Sequence, residues 1–176
     1  MLKLLLISGM LFCFSPLLLA QEEVAIDEEE EGKNLIAATV GYTYIREAGE
    51  LGATEADGFF VPTIGLDYFR KVHTKWEIGL MLDLELGQYL IIKKELERER
   101  AFIAAFAGAY KVTPNFQLVA GAGIELEKHK NLAILRLGAE RQFNLGNEWR
   151  LGPAFFFDFK EGYDTWSLSL SLGKEF

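Results

Sequence analysis

Large apolar positions and small or polar positions alternate with a period of two through most of this chain. The clearest case runs from Trp166 to Phe176. Trp166, Leu168, Leu170, Leu172 and Phe176 share one parity, while Ser167, Ser169, Ser171, Gly173 and Glu175 share the other. Side chains on a strand point alternately to opposite faces, so this stretch predicts a strand with one bulky greasy face and one small polar face. Its length suits a tilted strand crossing a bilayer, about 9–11 residues.

The same parity predicts seven earlier strands, at about 35–45, 59–69, 76–86, 101–111, 116–126, 132–143 and 149–160. On the third, Trp76, Ile78, Leu80, Leu82, Leu84 and Leu86 alternate with Glu77, Gly79, Met81, Asp83 and Glu85. No soluble amphipathic helix alternates so strictly. Short turn-forming stretches separate several strands: 70–75, Thr113-Pro114-Asn115, and 144–148 with Gly146. The longest connections run from Arg46 to Asp57 and from Gln88 to Arg100. In the latter, Lys93 to Arg100 reads equally as a charged helix or as the tip of a projecting hairpin. Pro62 and Pro153 each remove a ladder donor, which places them near a strand end or bulge, or leaves a carbonyl locally unpaired.

An even count of eight strands ending on an aromatic residue resembles the small OmpA/OmpX-type bacterial outer-membrane barrels. The resemblance covers about Asn34 to Phe176. It implies that Trp166, Leu168, Leu170, Leu172 and Phe176 form the signal read by the barrel-assembly machinery. Lys174 departs from that pattern, which usually has a hydrophobic residue or Tyr there. The implied fold is all-β: an eight-stranded antiparallel up-and-down transmembrane β-barrel.

Alternation alone fits a soluble lipocalin-like barrel equally well, with the greasy face turned inward. Two features favour lipid outside. The second face is built from Gly, Ser, Thr and Ala with single charges of both signs, which suits a narrow lumen better than a water-facing coat. The aromatics also sort into two girdles. Tyr68, Trp76, Tyr110, Phe116, Phe143, Trp149 and Phe176 fall at the end shared with the carboxy-terminus, and Tyr44, Phe60, Phe102, Phe159 and Trp166 at the other. Aliphatic residues dominate between them, as a transmembrane barrel requires. Hydrocarbon offers backbone groups no partner, so the last strand must pair with the first.

Residues 1–20 carry Lys3, an apolar run from Leu4 to Leu19 and a small residue, Ala20, before Gln21-Glu22-Glu23. That order predicts a secretory leader cleaved near Ala20. Cys13 follows Phe12 rather than a small residue, which argues against a lipoprotein signal. Segment 21–33 is dominated by carboxylates and predicts a flexible acidic periplasmic lead-in. Residues 34–176 form the barrel domain. With a formal charge of −8, the chain lacks the basic surface that nucleic-acid binding needs.

Candidate chemistry is confined to inward charges. Glu140, Arg150 and Glu175 are expected near the carboxy-terminal end of the lumen. Arg136, Asp158, Lys160 and Glu125 are expected nearer the other end, facing Asp67, Glu77, Asp83 and Glu85. Such a set serves as a proton or ion path, or as a structural network that neutralises buried charge; the narrow lumen favours the network. No cofactor or metal is expected, since Cys13 lies in the leader and the two histidines are isolated. A hydrolytic site needs a base beside a nucleophile, and neither His73 nor His129 has a Ser nearby in sequence. His129, with Lys128 and Lys130, lies where lipid A phosphates would be within reach, although a solvated loop is the simpler reading.

The sequence thus points to a non-enzymatic outer-membrane barrel with a structural or surface-interaction role and a filled lumen. A lipid A-modifying enzyme and a soluble periplasmic ligand-binding barrel remain as alternatives. Expected partners are outer-membrane lipid and lipopolysaccharide, the assembly machinery and periplasmic chaperones, and a surface ligand held by the two long connections.

Overall fold

The computed structural model describes residues 33–176. The expected leader and almost all of the acidic segment lie outside the described residues. In chain order the strands are β1 (Asn34–Ile45), β2 (Ala48–Gly49), β3 (Phe59–His73), β4 (Trp76–Glu85), β5 (Gln88–Ile91), β6 (Leu96–Glu99), β7 (Phe102–Thr113), β8 (Phe116–Leu126), β9 (Leu132–Arg141), β10 (Phe143–Gly146), β11 (Trp149–Lys160) and β12 (Asp164–Glu175).

Each barrel strand pairs antiparallel with its neighbours, in the order β1-β3-β4-β7-β8-β9-β11-β12. β12 then returns to β1, with Leu35 opposite Glu175 and Ile45 opposite Thr165. Among the described residues this makes a closed barrel of eight strands, because β9 and β10 form one strand interrupted at Gln142. The register against β11 is the same on both sides of the interruption: Ala154 faces Glu140 and Leu151 faces Phe143. The stretch left unpaired on β11 is Gly152 and Pro153, and Pro153 has no N–H to offer the ladder. Pro62 sits near the start of β3, where its carbonyl accepts from the Leu86 amide at 2.8 Å.

Large apolar side chains point away from the barrel axis. Val40, Tyr42, Ile64, Leu66, Leu80, Phe106, Leu118, Leu137, Phe155, Leu168, Leu170 and Leu172 are all exposed. Opposite-parity neighbours such as Thr39, Asp67, Glu77, Arg136, Asp158 and Ser171 are buried. This arrangement inverts that of a soluble barrel, whose greasy face packs inward. Tyr44, Phe60, Trp166 and Phe155 stack along one rim, with ring centroids 4.7–6.2 Å apart. Trp76 and Tyr110 pack at the other rim, at 4.9 Å. We call the latter, which holds the three short turns and the carboxy-terminus, the turn rim. The other is the loop rim.

Two expectations change in detail. β3 continues through His73, so Arg70 and Lys71 are strand residues, and the turn shrinks to Thr74 and Lys75. Residues 88–99 form a hairpin, not a helix. β5 and β6 extend the β4–β7 pair beyond the barrel, and a 3-10 turn at Ile92–Lys94 joins them. Glu95 closes that turn in the left-handed region, with φ 49°. β2 pairs with β5, which gives a separate three-stranded sheet at the loop rim.

Candidate functional site

Strand parity gathers the enclosed charges of the barrel strands in the lumen. They are layered along the barrel axis.

Near the turn rim, the expected cluster of Glu140, Arg150 and Glu175 divides. Arg150 pairs with Glu175, and its Nη1 donates to Gln142 Oε1 at 2.9 Å. Glu140 instead accepts from Gln117 Nε2 at 2.7 Å and from Ser171 Oγ at 2.9 Å. Gly152 makes room here, since a Cβ on it would collide with the Glu140 carboxylate and the Ser171 hydroxyl. Glu77 pairs with Lys111 Nζ at 2.5 Å. Apolar side chains fill the space between these groups: Leu35, Phe69, Met81, Val119 and Phe156 form one cluster with several alanines.

At mid-height Arg136 joins two strands. Its Nε and Nη2 donate to the two Asp158 oxygens at 2.7 and 2.8 Å, and its Nη1 donates to Asp83 Oδ2 at 2.5 Å. The paired geometry with Asp158 is the strong, planar form of a carboxylate contact. Its guanidinium also lies 5.3 Å from the Phe156 ring centre. Beside it a cavity of about 20 Å³ is lined by Thr39, Thr43, Thr63, Asp67 and Asp83 among others. That is room for about one water. Asp67 Oδ1 has no hydrogen-bond partner among the described residues.

Nearest the loop rim, Lys160 Nζ lies 3.0 Å from Glu85 Oε1 and 2.7 Å from Glu125 Oε2, with all three side chains fully enclosed. Tyr89 donates to Glu85 at 2.5 Å, and Tyr163 donates to both Glu125 oxygens at 2.9 Å. Burial, and then the Glu85 charge, pushes the Tyr89 hydroxyl well above the usual tyrosine range. Burial raises the Tyr163 hydroxyl too, so both remain proton donors at neutral pH. Arg98 reaches in from β6. Its Nη1 donates to the Lys130 carbonyl at 2.5 Å and to Glu127 Oε2 at 3.3 Å. Its Nε lies 3.0 Å from Glu125 Oε1 but is not aligned for a hydrogen bond.

Over this layer sits an apolar seal. Ile45, Ala48, Val61, Tyr89, Ile91, Leu132 and Tyr163 pack together, and Phe59 and Leu96 flank them. The β2–β5–β6 sheet therefore folds its inward face onto the lumen mouth.

The eleven expected lumen charges thus distribute over several small groups rather than one chain. Sequence parity missed Arg98, Tyr89 and Tyr163. The first two lie in the hairpin read ambiguously, and Tyr163 lies in a loop. The alternation was nevertheless present, with Leu96 and Arg98 inward against Glu97 and Glu99. Among the described residues no cluster of three or more His, Cys, Asp or Glu is placed to hold a metal. His73 Nδ1 meets the Thr74 hydroxyl at 3.1 Å, and His129 Nδ1 meets Glu127 at 3.1 Å. The residues resembling an assembly signal all lie outward on β12 or just past it; Leu168, Leu170, Leu172 and Phe176 are exposed and Trp166 half-buried.

No family model and no curated protein matches the sequence. Solved structures do match the fold. The attachment invasion locus protein Ail of Yersinia pestis, in complex with the heparin analogue sucrose octasulfate, aligns with TM-score 0.51 at 17% identity, over 83% of this chain and 99% of that one. Neisserial surface protein A aligns with TM-score 0.52 at 8% identity, over 82% of this chain and 97% of that one. A designed transmembrane β-barrel aligns with TM-score 0.50 at 11% identity, over 85% and 99%.

Proposed function

We propose that this chain, whose fold is that of the small eight-stranded outer-membrane barrels, is a non-conducting, non-enzymatic envelope protein with a structural or surface-interaction role. The observation that carries this reading is the sealed lumen inside an apolar exterior. Leu170 and its neighbours face outward, while Lys160, Glu85 and Glu125 are enclosed beneath the Tyr89–Ile91 seal. In this reading the leader is removed near Ala20, and the assembly machinery inserts the chain with periplasmic chaperones holding it until then. The turn rim faces the periplasm, and lipopolysaccharide surrounds the loop rim.

A surface role belongs to the connections at the loop rim. Ail was solved with a sulfated sugar analogue. Here Glu47, Glu50, Glu55 and Asp57 share their connection with one cation, Arg46, so a cationic partner suits it better than a sulfated one.

Planar-bilayer recording of the purified protein tests the reading. The expected trace is flat at moderate voltage. Steady unitary conductance from the intact chain would overturn the sealed lumen, and altered lipid A acyl chains in expressing cells would overturn the non-enzymatic role.

A further inference from the structure

The turn rim carries charges that neither the lumen nor the loop surface uses. Arg70 on β3, Arg141 at the end of β9 and Lys174 near the end of β12 all point outward and are exposed. They are not ion-paired with any carboxylate among the described residues. Each stands among aromatics. Arg141 lies 5.1 Å from the Phe143 ring centre, Lys174 lies 5.8 Å from that of Trp149, and Arg70 follows Tyr68 by one outward step. Outward positions at this end otherwise hold Ile36, Val72, Trp76, Val112, Phe143 and similar residues. Among the described residues no outward strand position at this end carries an acidic side chain. Two acidic side chains at this end point inward, where Glu77 meets Lys111 and Glu175 meets Arg150, and Glu148 stands exposed in the β10–β11 turn. The loop rim differs, since Asp164 stands exposed on β12 there.

A cation on a long stem, held over an aromatic ring at the edge of an apolar band, sits at headgroup depth. Arg141 and Lys174 stand on the two strands that flank β11, and together make a surface complementary to phosphate; Arg70, on β3, lies beyond β1 and outside it. We propose that Arg141 and Lys174, on either side of β11, make a seat for anionic phospholipid headgroups in the leaflet that meets the turn rim. This rests on the reading that the chain spans a membrane. The competing occupant is the chain's own acidic segment 21–32, which precedes Lys33; the Lys71 amide donates to the Lys33 carbonyl at 3.0 Å at the same rim.

Trp149 is a built-in reporter beside Lys174. The test uses the protein purified from outer membranes and returned to vesicles containing brominated-chain phosphatidylglycerol or brominated-chain phosphatidylcholine. In W76F/W166F, Trp149 fluorescence reports the turn rim; in W76F/W149F, Trp166 reports the loop rim. The expected result is an apparent affinity at Trp149 about 2–5-fold higher for phosphatidylglycerol than for phosphatidylcholine, the size of one or two cation contacts. That preference falls towards one in R141Q/K174Q and is absent at Trp166. Equal quenching of Trp149 by both lipids overturns the seat and leaves the membrane reading standing, because quenching itself reports burial in acyl chains. Preference appearing only after residues 21–32 are deleted assigns the cations to the acidic segment and also overturns it. No quenching by either lipid overturns both readings.

Discussion

Asn34 and Phe176 exchange both backbone hydrogen bonds, each at 2.9 Å, and so finish the seam where β12 meets β1. Phe176 remains 63% exposed on the outer surface beside this seam. One residue therefore serves two ends: it satisfies the last backbone groups and presents an aromatic at the turn rim.

Deleting Phe176 is expected to slow insertion, because the seam loses its terminal pair and the rim its aromatic. A time course of heat-shifted migration on gels measures this. A truncated chain that reaches the folded form as fast as the intact one would remove the terminal residue from the assembly signal.

Leu170→Arg places a charge on the outer face between Pro153 and Val40. The expected cost is about 2–4 kcal/mol if the site lies at the bilayer midplane. Urea titration of folding in vesicles gives the value. A cost below about 1 kcal/mol would mean that Leu170 meets water rather than acyl chains.

Lys160→Met leaves Glu85 and Glu125 enclosed without their shared cation. Removing one member of a buried pair costs about 3–5 kcal/mol, whereas exchanging the whole set for neutral groups is often nearly neutral. We expect the single variant to unfold at clearly lower urea and K160M/E85Q/E125Q to recover most of the loss. A triple variant as weak as the single one would show that Lys160 acts through packing instead.

Glu127 ties the β8–β9 loop. Its Oε2 accepts from the His129 amide at 2.7 Å. Burial raises its carboxyl, but the His129 hydrogen bonds and charge, with the Arg98 charge behind them, outweigh that and hold it below the usual glutamate value of 4.5. The tie is therefore fully present above pH 4.5 and is lost as pH falls through the depressed value. The His129 amide resonance should titrate with a midpoint below 4.5, and the response should vanish in E127Q. A midpoint at or above 4.5 contradicts the tie.

Strand parity was legible because one face meets hydrocarbon and must be apolar at every second position. Trp76 to Leu86 states this without exception, and the aromatic girdles followed from the same count. Contact partners within the lumen were less legible. Parity says that Glu140 points inward, but not that Gln117 and Ser171 reach it before Arg150 does. The greasy filling around Phe156 was hidden too. A bulky residue on the inner face breaks alternation locally, and only the close approach of Gly138, where a Cβ would strike the Phe156 ring, reveals the space it occupies. Segment 88–100 was ambiguous because its inward Arg98 is charged, so the alternation carried no contrast in hydropathy.

The seal at the mouth is anchored before the long β2–β3 connection reaches its tip. Ala48 is fully enclosed, whereas Leu51 and Gly52 stand clear in solvent. In the proposed role, closure of the lumen and display thereby fall to separate stretches of chain. On that reading an epitope inserted within residues 51–57 is expected to leave the cluster around Ala48 and Tyr89 undisturbed.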